Sequence, residues 1–157
     1  MTVQQSGNVT PGHIATWTTD GVLQDGGLVG SGQTVLAKLL SADFNTLSDQ
    51  AITLPTGMSA ITVTGILVCN ATLSLTTAVG GFYPQASKGG TALVANSQVY
   101  SSLTTSAKLL SCTLAGAVAT TYYTRSNVPD WNIYFSLTAA QGAAAYADIY
   151  LLGVQLV

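Results

Sequence analysis

From about Thr34 onward, short runs of apolar residues alternate with clusters of Gly, Pro, Asn and Ser. The runs are "TVLAKLL", "QAITL", "AITVTGILV", "ATLSLT", "GGFYPQAS", "TALVANSQVY", "AKLLSCTLA", "WNIYFSL" and "ADIYLLGVQLV". Strict alternation marks a strand with one buried face. In "AITVTG", Ile61 and Val63 fall on one face, Thr62 and Thr64 on the other. In "WNIYFSL", Trp131, Ile133, Phe135 and Leu137 oppose Asn132, Tyr134 and Ser136. The pattern predicts an all-β domain over residues 34–157, a two-sheet β-sandwich or jelly roll. The stretch "TTSAKLLSCTLAGAVATTYY" leaves room for a helical turn or two.

Residues 1–33 have a different texture. "TPGH", "TDG" and "QDGG" are turn signals, and Gly21, Gly26, Gly27, Gly30 and Gly32 crowd one short stretch. Between the turns, "HIATW" and "GVLQ" are extended patches with one or two apolar side chains each. This is the pattern of an extended arm or a small ribbon, without a core of its own.

Composition strengthens the β reading. Only 6% of the 157 residues are charged, against roughly a quarter in ordinary soluble domains, while the apolar fraction is 48%. Glutamate is absent, and Thr, Ser, Gly, Ala and Gln fill the polar positions. Strong helix formers are thereby depleted and β-branched residues enriched. A monomer free in solution ordinarily relies on surface charge, so this poverty points to a chain packed in an assembly. The apolar final run, "YLLGVQLV", has no charged gatekeeper and also favours pairing within a sheet or with a neighbouring subunit.

Charge and periodicity also narrow the partners. Lys38, Lys88, Lys108 and Arg125 are scattered and the net charge is −2, so the clustered basic footprint of a nucleic-acid or anionic-membrane binder is missing. Residues 50–87 carry no charge, but Pro55, Gly57, Asn70, Gly80, Gly81 and Pro84 interrupt them, which argues against a membrane span. No basic-then-apolar start suggests a secretory signal. Cys69 and Cys112 each sit in an apolar stretch and read as two small buried thiols.

Candidate chemistry is sparse. His13 is the single histidine, so a Ser/His/Asp triad would rest on it alone, and no G-x-S-x-G elbow accompanies it. Asp43, Asp49, Asp130 and Asp148 could in principle supply a glycosidase-type pair, yet each stands beside turn or cap residues. "DGVLQDGG" offers Asp20 and Asp25 but lacks the alternating acidic ligands of a calcium loop, and zinc needs more His and Cys. No phosphate loop opens a helix, and "SKGG" around Lys88 reads as a hairpin tip in which the Gly pair supplies positive φ. The sequence therefore leads to no catalytic residue, no metal and no cofactor. Exposed tyrosines could stack on sugars, although sandwich cores and subunit contacts use tyrosine as well.

The segment "QQSGNVTPGHIATWTTDGVLQDGG" resembles the amino-terminal module of tailed-bacteriophage virion proteins, particularly capsid decoration and head-fibre proteins. The shared pattern is S-G-x-V-T-P-G-H-x-x-x-W-T-x-D-G-V-x-Q-D-G-G. It is matched by Ser6, Gly7, Val9, Thr10, Pro11, Gly12, His13, Trp17, Thr18, Asp20, Gly21, Val22, Gln24, Asp25, Gly26 and Gly27. The remainder of the chain is more loosely similar to small phage structural proteins. The resemblance implies a β-rich virion component, made in the bacterial cytoplasm and located on the capsid surface. Its partners would be the major capsid protein, or another virion surface protein, and itself as a homotrimer. The implied capsid-binding residues are Val9, Thr10, Pro11, Gly12, His13, Ile14, Trp17, Asp20, Gly21, Val22, Leu23 and Asp25. A Gly-rich segment anchored by Ile14, Trp17, Val22 and Leu23 suits binding by strand addition, with Trp17 as the hot spot. A tail-fibre or receptor-binding module that contacts host-surface carbohydrate is the competing expectation.

Overall fold

β-Branched and aromatic residues spaced at a period of two commit most of this chain to strands, as the computed structural model shows. It describes residues 4–5, 13–17, 22–28, 34–118 and 121–156. Those residues are all-β, with no α-helix among them. The chain divides into two units, Met1–Gly32 and Gln33–Val157.

The first unit contains β1 (Gln4–Gln5), β2 (His13–Trp17) and β3 (Val22–Leu28). β2 pairs antiparallel with β3, and β1 adds to the other side of β3 in parallel, in the order β1-β3-β2. Of the two forms open to this segment, its strands take that of a small ribbon.

The second unit contains β4 (Thr34–Asp43), β5 (Gln50–Thr53), β6 (Ala60–Cys69), β7 (Val79–Tyr83), β8 (Leu109–Ser111), β9 (Tyr122–Thr124), β10 (Asn132–Ala139) and β11 (Tyr146–Leu156). They form two sheets, one ordered β4-β11-β6-β8 with β9 also on β6, the other ordered β5-β10-β7. Every pairing in this unit is antiparallel. Burial along β11 follows the period of two, and along β10 it does so as far as Phe135, after which Ser136, expected to face outward, is buried too. One buried cluster draws on both sheets, including Leu36, Ile61, Ile66, Ile149 and Leu151 from the larger and Ile52, Phe82, Ile133 and Phe135 from the smaller. The arrangement is sandwich-like.

At the centre, Phe135 lies between Phe44 (ring centroids 4.8 Å apart) and Phe82 (5.1 Å), with Tyr100 edge-on at 6.0 Å. Such offset and edge-to-face pairs are worth about 0.5–1.5 kcal/mol each beyond the area they bury. The Tyr100 hydroxyl is satisfied by donating to the Gly80 carbonyl at 3.3 Å. Gly81 admits the chain crossing beside it: a β-carbon there would collide with the carbonyl oxygen of Val94 and with Ala95.

The stretch from Thr104 to Tyr123 supplies β8 and β9, with a 3-10 turn at Val118, whose N–H donates to the Ala115 carbonyl at 2.9 Å. Three expectations are corrected locally. "ATLSLT" is not a strand, although Ala71 and Leu75 are buried, because its backbone is held by single bonds such as Leu75 N–H to Leu103 O at 3.0 Å. "TALVANSQVY" meets β7 in isolated bridges at Val94 and Val99, not as a strand, since a turn closed by Gln98 N–H to Ala95 O at 3.1 Å separates them. At the tip near Lys88 the left-handed residues are Ser87, Lys88 and Gly90, so only one of the Gly pair supplies positive φ and two non-glycine residues supply the rest. The Asp49 carboxylate accepts the Ser87 backbone N–H there, which holds a non-glycine residue in that conformation.

Candidate functional site

The residues singled out for attachment divide in two. His13, Ile14 and Trp17 lie in β2, and Val22, Leu23 and Asp25 lie in β3. Val9, Thr10, Pro11, Gly12, Asp20 and Gly21 fall outside the described residues. The backbone register sets Trp17 opposite Leu23, Ala15 opposite Asp25 and His13 opposite Leu28, with a shift between His13 and Ala15. On the other side of β3, Gln4 stands opposite Val22 and Gln5 opposite Leu23. The hairpin thus gathers Trp17 and Leu23, two of the four proposed anchors, at one rung. It also brings Asp25 level with Ala15, so His13 and Asp25 are not register partners.

In the second unit the four carboxylates are each engaged locally. Asp43 accepts the Asn45 N–H at 2.7 Å, an Asx turn. Asp148 accepts Ser41 N–H at 2.9 Å and the Asn70 amide at 2.8 Å, and both donors hold positive φ. Asp130 accepts the Tyr134 hydroxyl at 3.0 Å, and Asp49 accepts Ser87 N–H. Burial foremost, with Asp130 and Asp49 adding to it against an opposing Asn132 bond, pushes the Tyr134 phenol up. Tyr83 is raised by burial and then by Asp49. Both tyrosines therefore stay protonated donors at neutral pH. No group of three or more His, Cys, Asp or Glu side chains able to hold a metal ion occurs among the described residues.

The cysteines differ from each other. Cys112 is buried, and burial pushes its thiol up to about 12. Cys69 is only half-buried, which corrects the expectation of two buried thiols; burial and then Asp148 raise its thiol. Both are free. The tyrosines also separate by position: Tyr83, Tyr100 and Tyr123 belong to the buried set, whereas Tyr122 and Tyr146 are exposed.

Two shallow clefts of about 310 Å³ each mark the second unit. One is lined by residues of the Ala95–Val99 stretch and Thr113–Ala115. The other gathers Gln85, Thr91, Thr121, Tyr123 and Asn127 beside Pro84 and Gly90, a neutral polar lining without a charged group.

Sequence inspection did not single out the outward face of the larger sheet. The register sets Tyr150 opposite Leu67 and Lys38, Leu152 opposite Val35, and Thr62 opposite both Val154 and Tyr122. These positions alternate with the buried Ile149 and Leu151, so they look away from the core. Val35, Leu109 and Tyr122 are each more than half exposed. The signal was present in "YADIYLLGVQL": a strand apolar at both odd and even positions needs cover on both faces.

No protein-family model matches this chain, and no curated protein matches it. Among the described residues no helix is long and apolar enough to cross a membrane.

Proposed function

We propose that the protein is a non-enzymatic bacteriophage virion component that decorates or cements the capsid. In this reading residues 1–33 grip the major capsid protein, and residues 34–157 form a jelly-roll-like, trimerising domain. The observation that carries it is the run Ser6–Gly27, whose resemblance to the phage attachment module spans 22 positions. The β2–β3 hairpin supports it, because a strand ribbon has edges to which a partner strand can add. Three attachment segments per trimer would multiply a weak single-site affinity.

The jelly-roll reading draws on the winding. Successive strands alternate between the sheets from β4 to β8, β9 follows β8 in the same larger sheet, and the alternation resumes with β10 in the smaller sheet and β11 in the larger. The bridges of Val94 to Phe82 and Val99 to Val79 extend the smaller sheet beyond β7, where a fourth strand would stand.

The test is binding to purified capsid shells that lack the protein. Full-length chain is expected to co-sediment stoichiometrically, while chains lacking residues 1–27 stay folded and remain in the supernatant. Trp17→Ala should weaken binding by about tenfold or more, as a central aromatic anchor would. Stoichiometric binding by the truncated chain overturns the attachment role.

A second reading, a receptor-binding module for host-surface carbohydrate, is favoured by the neutral cleft around Tyr123 and Asn127, whose lining suits a sugar. A glycan array separates the two, and silence there counts against the carbohydrate reading.

A further inference from the structure

The larger sheet has an outward face built like an interior. Val35, Leu67, Leu109, Tyr122, Tyr150 and Leu152 lie on it, contributed by five strands. Isolated exposed apolar side chains are ordinary, but a contiguous band of this kind marks a contact surface. We propose that this face is where copies of this chain pack against one another, its occupant being a second copy of the chain. The inference rests on the self-association in the proposed function and does not depend on capsid attachment.

Size is the first argument for that occupant. β11 runs for 11 residues and the sheet is four strands wide. At about 3.3 Å per residue and about 4.8 Å per strand the face covers roughly 700 Å². A standard interface buries about 800 Å² on each partner, so the same faces of neighbouring copies, turned to a common axis, are a sufficient counterpart.

Charge is the second argument. The face holds one cation, Lys38, opposite Tyr150, and two carboxylates, Asp148 and Asp43, toward one end. Asp148 already accepts hydrogen bonds from Ser41 and Asn70. A second copy brings the same near-balance of signs and a surface equally poor in charge, so contact desolvates few ions. Nucleic acid, an anionic bilayer or a typically charged protein would instead leave its charges facing Leu and Tyr side chains.

The experiment uses the full chain. Val35→Arg and Tyr122→Arg are placed at exposed positions, where an added charge is solvated in the monomer and leaves the fold intact. Light scattering across concentrations should give an oligomer for the unaltered chain and the monomer mass for the double variant, with the same far-ultraviolet spectrum. Cys69 lies on this face and distant from both substitutions in register, so its alkylation is an independent readout. It should be about tenfold or more faster in the variant, because association shields it only in the unaltered chain. A monomeric unaltered chain overturns the proposal, as does a variant that keeps its mass and leaves Cys69 equally protected. Capsid binding reads out separately: an oligomeric full-length chain that fails to bind capsid shells sinks the attachment reading and leaves this interface standing.

Discussion

Gly153 of β11 lies against the carbonyl oxygen of Thr62 in β6, so close that a β-carbon at position 153 would overlap it and press on Leu36 as well. At this point the pairing of the two strands slips: Leu152 partners Gly65, but Gly153 partners Val63. Thr64 is the extra residue, a β-bulge. The bulge turns the inward set of β6 from Ile61 and Val63 to Ile66 and Val68. Gly153 is the residue that lets the strands approach there.

Gly153→Ala should therefore destabilise the fold by about 1–3 kcal/mol, since backbone must move to admit the methyl group. Urea unfolding checks it: the midpoint should fall with little change in slope. An unchanged midpoint would show that the strands separate freely at the bulge.

Phe135→Ala should cost about 3–5 kcal/mol. It removes the ring shared by Phe44, Phe82 and Tyr100 and leaves a cavity where the two sheets meet. Phe135→Leu should recover a substantial part of the loss in the same unfolding measurement, because it refills most of that volume.

Trp131 and Arg125 offer a smaller, separable test. The Trp131 indole N–H donates to the Pro55 carbonyl at 2.9 Å, and the Arg125 guanidinium lies 4.7 Å from the ring centroid. Arg125→Ala should cost about 0.5–1 kcal/mol. Trp131→Phe should cost more, as it deprives the Pro55 carbonyl of its donor and shrinks a buried ring. Thermal melts of the two variants check the order.

Stability should fall at alkaline pH. Burial raises the Cys112 thiol from 9.0 to about 12, and burial likewise holds the Tyr100 phenol well above 10.0. For acids raised in the folded state, the contribution is complete below the unfolded value and is lost as pH climbs through the folded one. The Cys112 contribution should accordingly disappear between pH 9 and about 12. Cys112→Ala should flatten part of that decline in pH-dependent unfolding curves, leaving the part due to Tyr100.

Thiol labelling gives a further check. Half-buried Cys69 should react with a maleimide in native protein when the chains are dissociated, and Cys112 only after unfolding. Equal rates for both in native protein would contradict their different burial.

Much of the architecture could be read directly from residue order. The alternation in "WNIYFSL" was sufficient to place Ile133, Phe135 and Leu137 inward, but Ser136, expected on the opposite face, is fully buried as well. The same reading overestimated regularity where apolar residues are buried without a ladder, as at Leu75, Leu93 and Val94. Hydropathy reports burial, and burial can be met by a loop whose backbone is satisfied one bond at a time. β9 was missed for the opposite reason: three residues, Tyr122–Thr124, are too short to show a period.

The candidate site was legible unevenly. The sequence singled out Trp17, Val22 and Leu23 by their turn-bounded spacing, and the β2–β3 register then set Trp17 across from Leu23. The outward face of the larger sheet escaped notice because its members come from strands far apart in the chain, Val35, Leu67, Tyr122 and Leu152 among them.

Residue order by itself determined that this chain is built of strands, since alternation and β-branched content act over a few neighbouring positions. It also carried the attachment-like segment and the scarcity of charge. Only the tertiary structure decided which strands are neighbours, where β6 slips at Thr64, and which apolar residues of β11 face the core and which face outward. Those outcomes depend on register between segments as distant as Thr62 and Gly153, and a one-residue slip exchanges the two faces of a strand.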